Sequence, residues 1–346
     1  MPGLPDAIAA LERIAYLLEE RLEPPYRVRA FRGAAASLKR AGPEEAARLH
    51  AAGRLTDLAG IGEKTARVVD EALRGEVPGY LSRLEDERPD PGSRPGSALR
   101  ARLRGDCHSH SDWSDGGSPI REMAAAARAL GHDYLVLTDH SPRLTVAHGL
   151  DRGRLEEQLE VVAAVNEEVA ADGCPPFRLL TGIEVDINED GTLDQDDDLL
   201  ARLDVVVASV HSKLRMEGPA MTRRMCIALA NPHVDVLGHC TGRYVTGKGR
   251  PESEFDAELV FEAARTFDKA VEINCRPERM DPPKRLLRML VAREVKLSID
   301  TDAHAPGQLE WQPLGCARAE EAGADPALVV NTWAAEDLLA WAASHG

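Results

Sequence analysis

The spacing of hydrophobic residues changes partway along the chain. In the first part, apolar residues recur three or four positions apart, which places them on one face of an amphipathic helix. The first such stretch consists of Ile8, Leu11, Ile14, Ala15 and Leu18. The same rhythm predicts helices over 27–39 and 43–52 and a pair of helices around 60–62. No segment there alternates as a strand would, so this part is predicted to be a small all-α module.

Farther along, short runs rich in β-branched residues alternate with helix-like stretches. The runs are 105–110, 134–140, 177–187, 205–211, 234–240, 270–276 and 296–304. Helix-like segments such as 120–130 and 257–267 lie between them. Seven strand–helix units in succession predict an α/β fold with a parallel sheet, closed or nearly closed as a barrel.

A segment rich in Pro, Gly and Ser, residues 88–100, separates the two patterns and is predicted to be a linker. We therefore expect a helical domain over 1–87 and an α/β domain over 101–346. A length of 346 residues agrees with two domains. The first 100 residues carry as many basic as acidic side chains, so the net charge of −16 belongs to the residues that follow.

Composition narrows the class of protein. Hydrophobic residues make up 43% and charged residues 29%, which is typical of a folded globular chain. The acidic balance argues against nucleic acid covering the whole surface, although a local basic patch stays possible. Six cysteines without a CxxC pair favour a reducing compartment over a disulfide framework. No apolar stretch reaches the length of a membrane span, so we expect a cytoplasmic protein without membrane contacts.

Six of the eleven histidines fall at the carboxyl ends of the predicted strands. They are His108, His110, His140, His211, His239 and His304. Three carboxylates occur at the same level, namely Asp115, Glu184 and Asp302. Because the carboxyl ends of parallel strands share one rim of a barrel, we expect these side chains to converge.

Imidazole and carboxylate ligands together suit zinc, manganese or iron. Nine ligands would fit two or three divalent ions, and the resulting positive pocket would favour a phosphate ester. The expected reaction is hydrolysis by a metal-bound hydroxide, with no separate catalytic side chain assigned. A single histidine at a strand end is more often structural, and an HxH pair alone is a weak motif. The other histidines are expected to be structural or on the surface, and they are His50, His132, His148, His233 and His345.

The motifs at these strand ends resemble, in order, those of the PHP (polymerase and histidinol phosphatase) superfamily. They are DCHSHSDWSDGG, LTDHS, GIEVDI, ASVHS, GHCTGR, EINCRPERMD and IDTDAH. The likeness is strongest to the PHP domain of bacterial family X DNA polymerases and covers about residues 100–346. It implies a distorted (β/α)7 barrel with a trinuclear metal site, the nine residues above as ligands, and Glu184 bridging two ions. Asp115 stands where some phosphatase members carry His, and Cys240 stands where the polymerase-associated domains usually have Pro.

Three basic residues follow the ligand-bearing strands: Lys213, Arg243 and Arg276. They are candidates for binding the substrate phosphate, and Arg suits bidentate contacts better than Lys. The alternative is that they form salt bridges with the many acidic residues of the rim. The sequence favours neither interpretation.

The helical module resembles the small lyase-type domain that begins the same polymerases, on the strength of PPYRVRAFRGAAASLKR and LTDLAGIGEKTARVVDEAL. The second segment is a helix-hairpin-helix, in which a Gly-Ile-Gly turn directs a helix N-terminus toward a DNA phosphate. The candidate DNA contacts are Gly60, Ile61, Gly62, Lys64 and Thr65. Further phosphate contacts, or a solvated helix face, are offered by Arg27, Arg29, Arg32, Lys39 and Arg40. A plain turn between two helices is the alternative for the Gly-Ile-Gly segment.

Polymerases of this family place a nucleotidyltransferase palm between the two modules, and here a linker takes its place. Val68 stands where animal relatives hold the lysine that forms a Schiff base. We therefore expect neither polymerase nor lyase activity. The favoured function is a metal-dependent phosphoesterase acting on DNA, as a 3′-5′ exonuclease or an end-processing enzyme. The alternatives are a small-molecule phosphatase of the histidinol phosphatase type and a DNA-binding protein whose barrel is catalytically idle. The oligomeric state is not predicted.

Overall fold

The computed structural model describes residues 3–88, 95–172 and 176–345. The chain divides into two compact units, Met1–Ser93 and Arg94–Gly346. Residues 89–94 of the predicted linker lie outside the described residues. In the part of the chain that the structure describes, no helix combines the length and apolarity needed to cross a bilayer.

The first unit is helical, as the spacing predicts. Its helices are α1 (Leu4–Glu20), α2 (Pro25–Ala51), α3 (Glu63–Leu73) and α4 (Gly79–Asp86), with a 3-10 turn at Leu55–Asp57. The apolar stripe of α1 is buried, with Leu11, Ile14 and Leu18 fully enclosed. The two helices predicted over 27–39 and 43–52 are the two arms of α2, which bends at Gly42 where φ is 74°.

The second unit contains seven parallel strands, paired in chain order. They are β1 (Gly105–Asp106), β2 (Tyr134–Leu137), β3 (Arg178–Asp186), β4 (Val205–Ser209), β5 (Val236–Leu237), β6 (Ala270–Asn274) and β7 (Lys296–Asp300). Every predicted run contains one strand, and each strand is shorter than its run. A parallel bridge between Ser109 and Ala303 joins the ends of β1 and β7 and nearly closes the barrel.

Helices follow the strands and cover the outside of the barrel. They are α5 (Ser97–Arg100), α6 (Ile120–Ala129), α7 (Arg152–Ala171), α8 (Asp197–Leu200), α9 (Gly218–Leu229), α10 (Ala257–Thr266), α11 (Lys284–Ala292), α12 (Gln312–Ala322) and α13 (Ala335–Ala343). The apolar faces of α6 and α7 pack against β2 and β3 through Met123 and Val162. This arrangement buries the strands on both faces, as expected of a parallel sheet.

The final helix closes the amino-terminal end of the barrel. Leu338 and Trp341 of α13 join the apolar cluster that fills the interior, together with Val207 and Val236. The indole of Trp341 donates a hydrogen bond to the carbonyl of Asp268, just before β6. Apolar side chains therefore fill the amino-terminal end of the barrel, and the polar side chains described below lie at its carboxyl-terminal rim.

Candidate metal centre

Glu184 of β3 lies at the centre of the carboxyl-terminal rim, and its side chain is 1% exposed. Its two oxygens face different histidines. Oε1 lies 2.9 Å from His239 Nε2 and 3.3 Å from His211 Nε2. Oε2 lies 2.8 Å from His140 Nδ1, 3.4 Å from His108 Nε2 and 3.7 Å from His110 Nε2. A carboxylate with separate partners on each oxygen has the geometry required to join two ions.

The remaining predicted ligands lie beside this group. His110 Nε2 is 3.4 Å from Asp302 Oδ1. Asp115 Oδ1 lies 3.2 Å from His304 Nε2 and 3.4 Å from His140 Nε2. The structure thus brings together all nine side chains that the sequence places on the rim.

Donor atoms close enough to share an ion form three overlapping groups. These are His110, Asp115, His140 and His304; His108, His110 and Asp302; and His140, Glu184 and His211. His239 stands outside the three groups but contacts Glu184. Three overlapping groups agree with the two or three ions expected from the sequence.

The backbone is adapted to present Asp115 and Asp302. Asp302 adopts a left-handed conformation with φ of 51°, which Asp tolerates better than most residues. Gly116 follows Asp115, and a Cβ at this glycine would lie 2.5 Å from the carbonyl oxygen of Ser111. The buried carboxylate of Asp139 accepts hydrogen bonds from Ser111 and Ser114 and anchors the loop that carries Asp115.

Two carboxylates that sequence reasoning missed orient the histidine rings. His108 Nδ1 donates to Glu272 Oε1 at 2.7 Å, and His211 Nδ1 donates to Asp186 Oδ1 at 2.6 Å. Because a carboxylate accepts, the proton resides on Nδ1 and leaves Nε2 facing Glu184. Metal-binding histidines have such partners almost without exception. Glu272 is an acidic residue inside the apolar run AVEIN, and that signal could have revealed it.

Several buried nitrogen and oxygen atoms of the centre have no hydrogen-bond partner among the described residues. They are His108 Nε2, His110 Nδ1 and Nε2, His140 Nδ1, Glu184 Oε2, His211 Nε2 and His239 Nδ1. Buried polar atoms are nearly always satisfied, and an unmet group costs about 1–3 kcal/mol. Such a concentration of unmet nitrogen and oxygen atoms fits divalent cations.

The pKa shifts divide the histidines of the centre: against the effect of burial, the charge of Glu184 raises the pKa of His108 and His211, whereas two other rings have a lowered pKa. Burial, followed by the neighbouring rings of His304 and His140, lowers the pKa of His110 well below its usual value. Burial and the charge of Arg279 lower the pKa of His239 to about 4. Both rings are neutral near pH 7, which is the form that binds a metal.

The three predicted phosphate-binding residues differ in their surroundings. Arg276 lies at the centre, with Nη1 3.4 Å from Asp302 Oδ1 and Nε donating to Glu278 Oε1 at 2.7 Å. The guanidinium of Arg243 instead donates to the backbone carbonyls of Arg279 and Met280. Lys213 is exposed. Arg243 therefore fits the structural alternative, whereas Arg276 is positioned to meet a substrate.

The predicted helix-hairpin-helix turn is present at the start of α3. Gly60, with φ of 86°, and Gly62 are exposed, as is Lys64. Ile61 is buried, and the buried Thr65 hydroxyl accepts a hydrogen bond from the Gly62 N–H at 3.0 Å. Of the five candidate DNA contacts, Ile61 and Thr65 therefore shape the turn, and the other three are accessible.

Ion pairs within the first unit engage most of the other basic candidates. Arg27 pairs with Glu23, Arg32 with Glu19, and Lys39 with Glu12. Arg40 donates to the hydroxyl of Ser37. These contacts favour the interpretation of a solvated helix face. Val68, at the position of the lyase lysine, is buried in the core of the unit.

Comparisons with known proteins match both units. Residues 3–77 match the family described as "Helix-hairpin-helix domain", and residues 106–275 match the family described as "PHP domain". The Bacillus subtilis protein named "DNA polymerase/3'-5' exonuclease PolX" is 39% identical over 239 residues, which are 69% of this chain. The chain spans only 41% of the length of that relative.

Two further similarities concern phosphatases. A protein named "Probable phosphatase" from Thermoanaerobacter sp. is 29% identical over 239 residues, covering 66% of this chain and 89% of the relative. The crystal structure of histidinol phosphate phosphatase from Lactococcus lactis, complexed with zinc, L-histidinol and phosphate, shares 17% identity. Its TM-score is 0.44, over 64% of this chain and 95% of that protein.

Proposed function

Since the chain carries a helix-hairpin-helix domain followed by a PHP domain, we propose that it is a metal-dependent phosphoesterase that acts on DNA. Its activity would be that of a 3′-5′ exonuclease or an end-processing enzyme. The observation that carries the proposal is the buried group of histidines around Glu184, several of whose ring nitrogens have no hydrogen-bond partner among the described residues.

The chain's own residues define how such a centre would work. Glu184 and the three groups of candidate ligands would hold zinc, manganese or iron. Ions bound there would lower the pKa of a water molecule and stabilise negative charge on phosphate oxygens. Glu272 and Asp186 would keep the rings of His108 and His211 in the binding orientation.

The first unit supports DNA as the substrate. Gly60 and Gly62 are exposed at the start of α3, where helix N-termini favour phosphate. The Bacillus subtilis relative carries a 3'-5' exonuclease in its name. A domain that binds DNA would tether the substrate to the chain that carries the candidate metal centre.

A small-molecule phosphatase is the second candidate. The match to the Thermoanaerobacter protein named as a probable phosphatase spans 89% of that protein. The charge balance of the first 100 residues also lacks the excess of basic residues common in DNA binders. A catalytically idle barrel is disfavoured because all nine candidate ligands are present and in contact.

One experiment distinguishes the two candidates. Purified full-length protein with Mn²⁺ is given labelled single-stranded, recessed and nicked DNA and, in parallel, histidinol phosphate. We expect metal-dependent shortening of DNA and no incorporation of deoxynucleotides into a primed template. Rapid cleavage of histidinol phosphate with intact DNA would favour the small-molecule phosphatase instead.

A further inference from the structure

Three exposed basic side chains lie on the carboxyl-terminal rim without a partner among the described residues. Lys213 and Arg215 belong to the loop after β4, and Lys248 belongs to the loop after β5. Their side chains form no hydrogen bond or ion pair with any described residue. Arg243 of the same rim, by contrast, pairs with Glu252. The residues after the first 100 carry the whole net charge of −16, so solubility does not require these unpaired cations.

The first two cations are presented beside the metal centre by a fixed backbone. Lys213 lies two residues beyond the candidate ligand His211 and has a left-handed conformation with φ of 54°, which is uncommon for lysine. The buried guanidinium of Arg224 donates to the carbonyl of Ser212 at 2.8 Å and holds the start of this loop. Lys213 and Arg215 therefore project from a loop that begins at a candidate ligand.

The loop after β4 packs against the segment between β5 and α10. The hydroxyl of Ser253 donates to the carbonyl of Leu214 at 2.8 Å. A Cβ at Gly242, where φ is 64°, would lie 2.7 Å from Leu214 Cδ2, so the two loops approach closely only because this position is a glycine. Leu214 separates Lys213 from Arg215. Its packing therefore holds both cations next to the loop that carries the third.

Residues 244–250 of that loop form a short hairpin, the basic hairpin. Backbone hydrogen bonds of 3.0 and 2.9 Å pair Tyr244 with Arg250, and the Arg250 guanidinium carbon lies 4.1 Å from the centre of the Tyr244 ring. Lys248 lies at the tip, between two glycines with φ of 62° and 66°. The hairpin contains two basic residues and no acidic residue. It thus projects positive charge from a unit that is otherwise acidic.

Two exposed apolar side chains accompany these cations. Val245 of the basic hairpin is 47% exposed, and Met280 of the loop after β6 is 41% exposed. The two loops are joined, since the Val245 N–H donates to the carbonyl of Glu278 at 2.7 Å and Arg243 donates to the carbonyl of Met280. Cations that follow a backbone, beside side chains that meet the faces of unpaired bases, are typical of surfaces that bind single-stranded nucleic acid.

We propose that Lys213, Arg215 and Lys248 bind the backbone phosphates of a single DNA strand that extends away from the metal centre. Val245 and Met280 contact its bases. This inference rests on the proposed function and deepens it, because it assigns recognition of a polynucleotide to the barrel itself as well as to the helical unit. A small phosphate ester has one phosphate group, so it cannot occupy the metal centre and these cations at the same time.

The competing account assigns DNA binding to the helical unit alone. In that case, neutralising the rim cations should change neither the affinity for DNA nor its dependence on salt. If the rim binds the strand, each lost phosphate contact should lower the log–log salt slope by about 0.7, the value for single strands. The salt slope therefore separates a lost contact from a general loss of folded protein.

The test uses the full-length protein and its Arg215→Gln, Lys248→Gln and doubly substituted variants. Fluorescence anisotropy without added metal, so that the strand stays intact, measures the affinity for a labelled single-stranded oligonucleotide at several salt concentrations. With Mn²⁺, the rates on the same oligonucleotide and on a dinucleotide are compared. Thermal unfolding checks the fold. Arg102→Gln is the matched control, because Arg102 is also exposed and without a partner among the described residues but precedes β1, at the amino-terminal end of the barrel.

We expect each single variant to weaken strand binding at low salt by about fivefold, and the double variant to lose about 1.4 from the salt slope. The ratio of the oligonucleotide rate to the dinucleotide rate should fall in the same order. Arg102→Gln should match wild-type protein. Equal affinity and slope in wild-type protein and the double variant would overturn the inference, as would an equal loss in Arg102→Gln. Wild-type protein that cleaves neither substrate would overturn the proposed function, and the binding measurements would still decide whether the rim holds a strand.

Discussion

The barrel presents its candidate ligand atoms on buried side chains, whereas the helical unit presents an exposed turn of glycines. His108 and His110 are fully buried, and a hydrogen bond to Glu272 orients the ring of His108. Gly60 and Gly62 lie on the surface and have no side chain to replace. The proposed metal binding in the barrel therefore depends on which side chains are present. The proposed DNA binding by the helical unit would depend on the shape of the turn and on the absence of a side chain.

Loss of a candidate ligand should have the largest effect. His110→Ala or Asp302→Ala should lower turnover by about 1000-fold or more, because bound ions supply several kcal/mol of transition-state stabilisation. Bound metal should fall in parallel, as measured by elemental analysis. Asp112→Ala is the control, since this aspartate is exposed on the same loop. Near wild-type turnover with unchanged metal would show that the ligand assignment is wrong.

Loss of an orienting carboxylate should have an intermediate effect. Glu272→Gln keeps the size of the side chain but no longer holds the His108 ring as a charged acceptor. We expect about 10- to 100-fold weaker metal binding, the usual cost of removing such a partner. Titration with Mn²⁺ measures the affinity. Glu254→Gln, at an exposed position, should leave it unchanged. Equal affinity in both variants would mean that Glu272 is not part of the centre.

The helical unit should respond to an added side chain at Gly62. The backbone there has φ of −97°, and a Cβ would meet no atom within 4 Å, so Gly62→Val should fold normally. By covering the exposed start of α3 the added side chain should weaken DNA binding by about tenfold and reduce the log–log salt slope by roughly one. Turnover of a small phosphate ester should not change.

Gly79→Val provides the matched control for Gly62→Val. This exposed glycine also begins a helix of the first unit, but it lies outside the Gly60–Gly62 turn. Its replacement should not affect DNA binding. Equal DNA affinity in both variants and in wild-type protein would mean that the Gly60–Gly62 turn does not bind DNA.

The smallest expected effect concerns the pH dependence of stability and a histidine outside the candidate metal centre, His132. Burial, with Arg100 nearby, lowers the pKa of His132 in the barrel to about 3. The unfolded chain therefore binds more protons than the folded one between about pH 6.5 and pH 3. The stability due to neutral His132 is complete above this window and is lost as the pH falls through it. His132→Gln should flatten the acid side of the stability profile of the barrel.

Denaturant unfolding at several pH values measures this contribution. His50→Gln in the helical unit, where His50 contacts Asp70, is the control and should leave the barrel's acid profile unchanged. An identical acid profile for wild-type protein and His132→Gln would contradict the burial argument.

The sequence predicted the architecture and the convergence of the histidines better than the contacts that the histidines make with other side chains. The seven strands and the all-α first unit are confirmed, because alternation of short apolar runs with helical stretches identifies strand–helix units. The resemblance to the PHP superfamily is confirmed by the match over residues 106–275. Convergence of the rim residues follows from parallel strands alone.

Contacts between distant loops could not be predicted in the same way. The pairing of His108 with Glu272 spans 164 positions, and the approach of Arg279 to Asp302 depends on a loop that no periodicity describes. Arg243 and Arg276 look equivalent in the sequence, yet only the latter lies beside the candidate ligands. Ile61 and Thr65 have the pattern of DNA contacts but are needed inside the turn.

The central claim is that a metal centre around Glu184 hydrolyses phosphodiesters in DNA. Its most direct test follows the degradation of labelled single-stranded DNA by full-length protein with Mn²⁺, beside the same protein carrying Glu184→Gln. The account predicts steady shortening of the DNA by wild-type protein, abolished by a chelator and by Glu184→Gln. Degradation that continues in Glu184→Gln, or wild-type protein that leaves every DNA substrate intact, would contradict it.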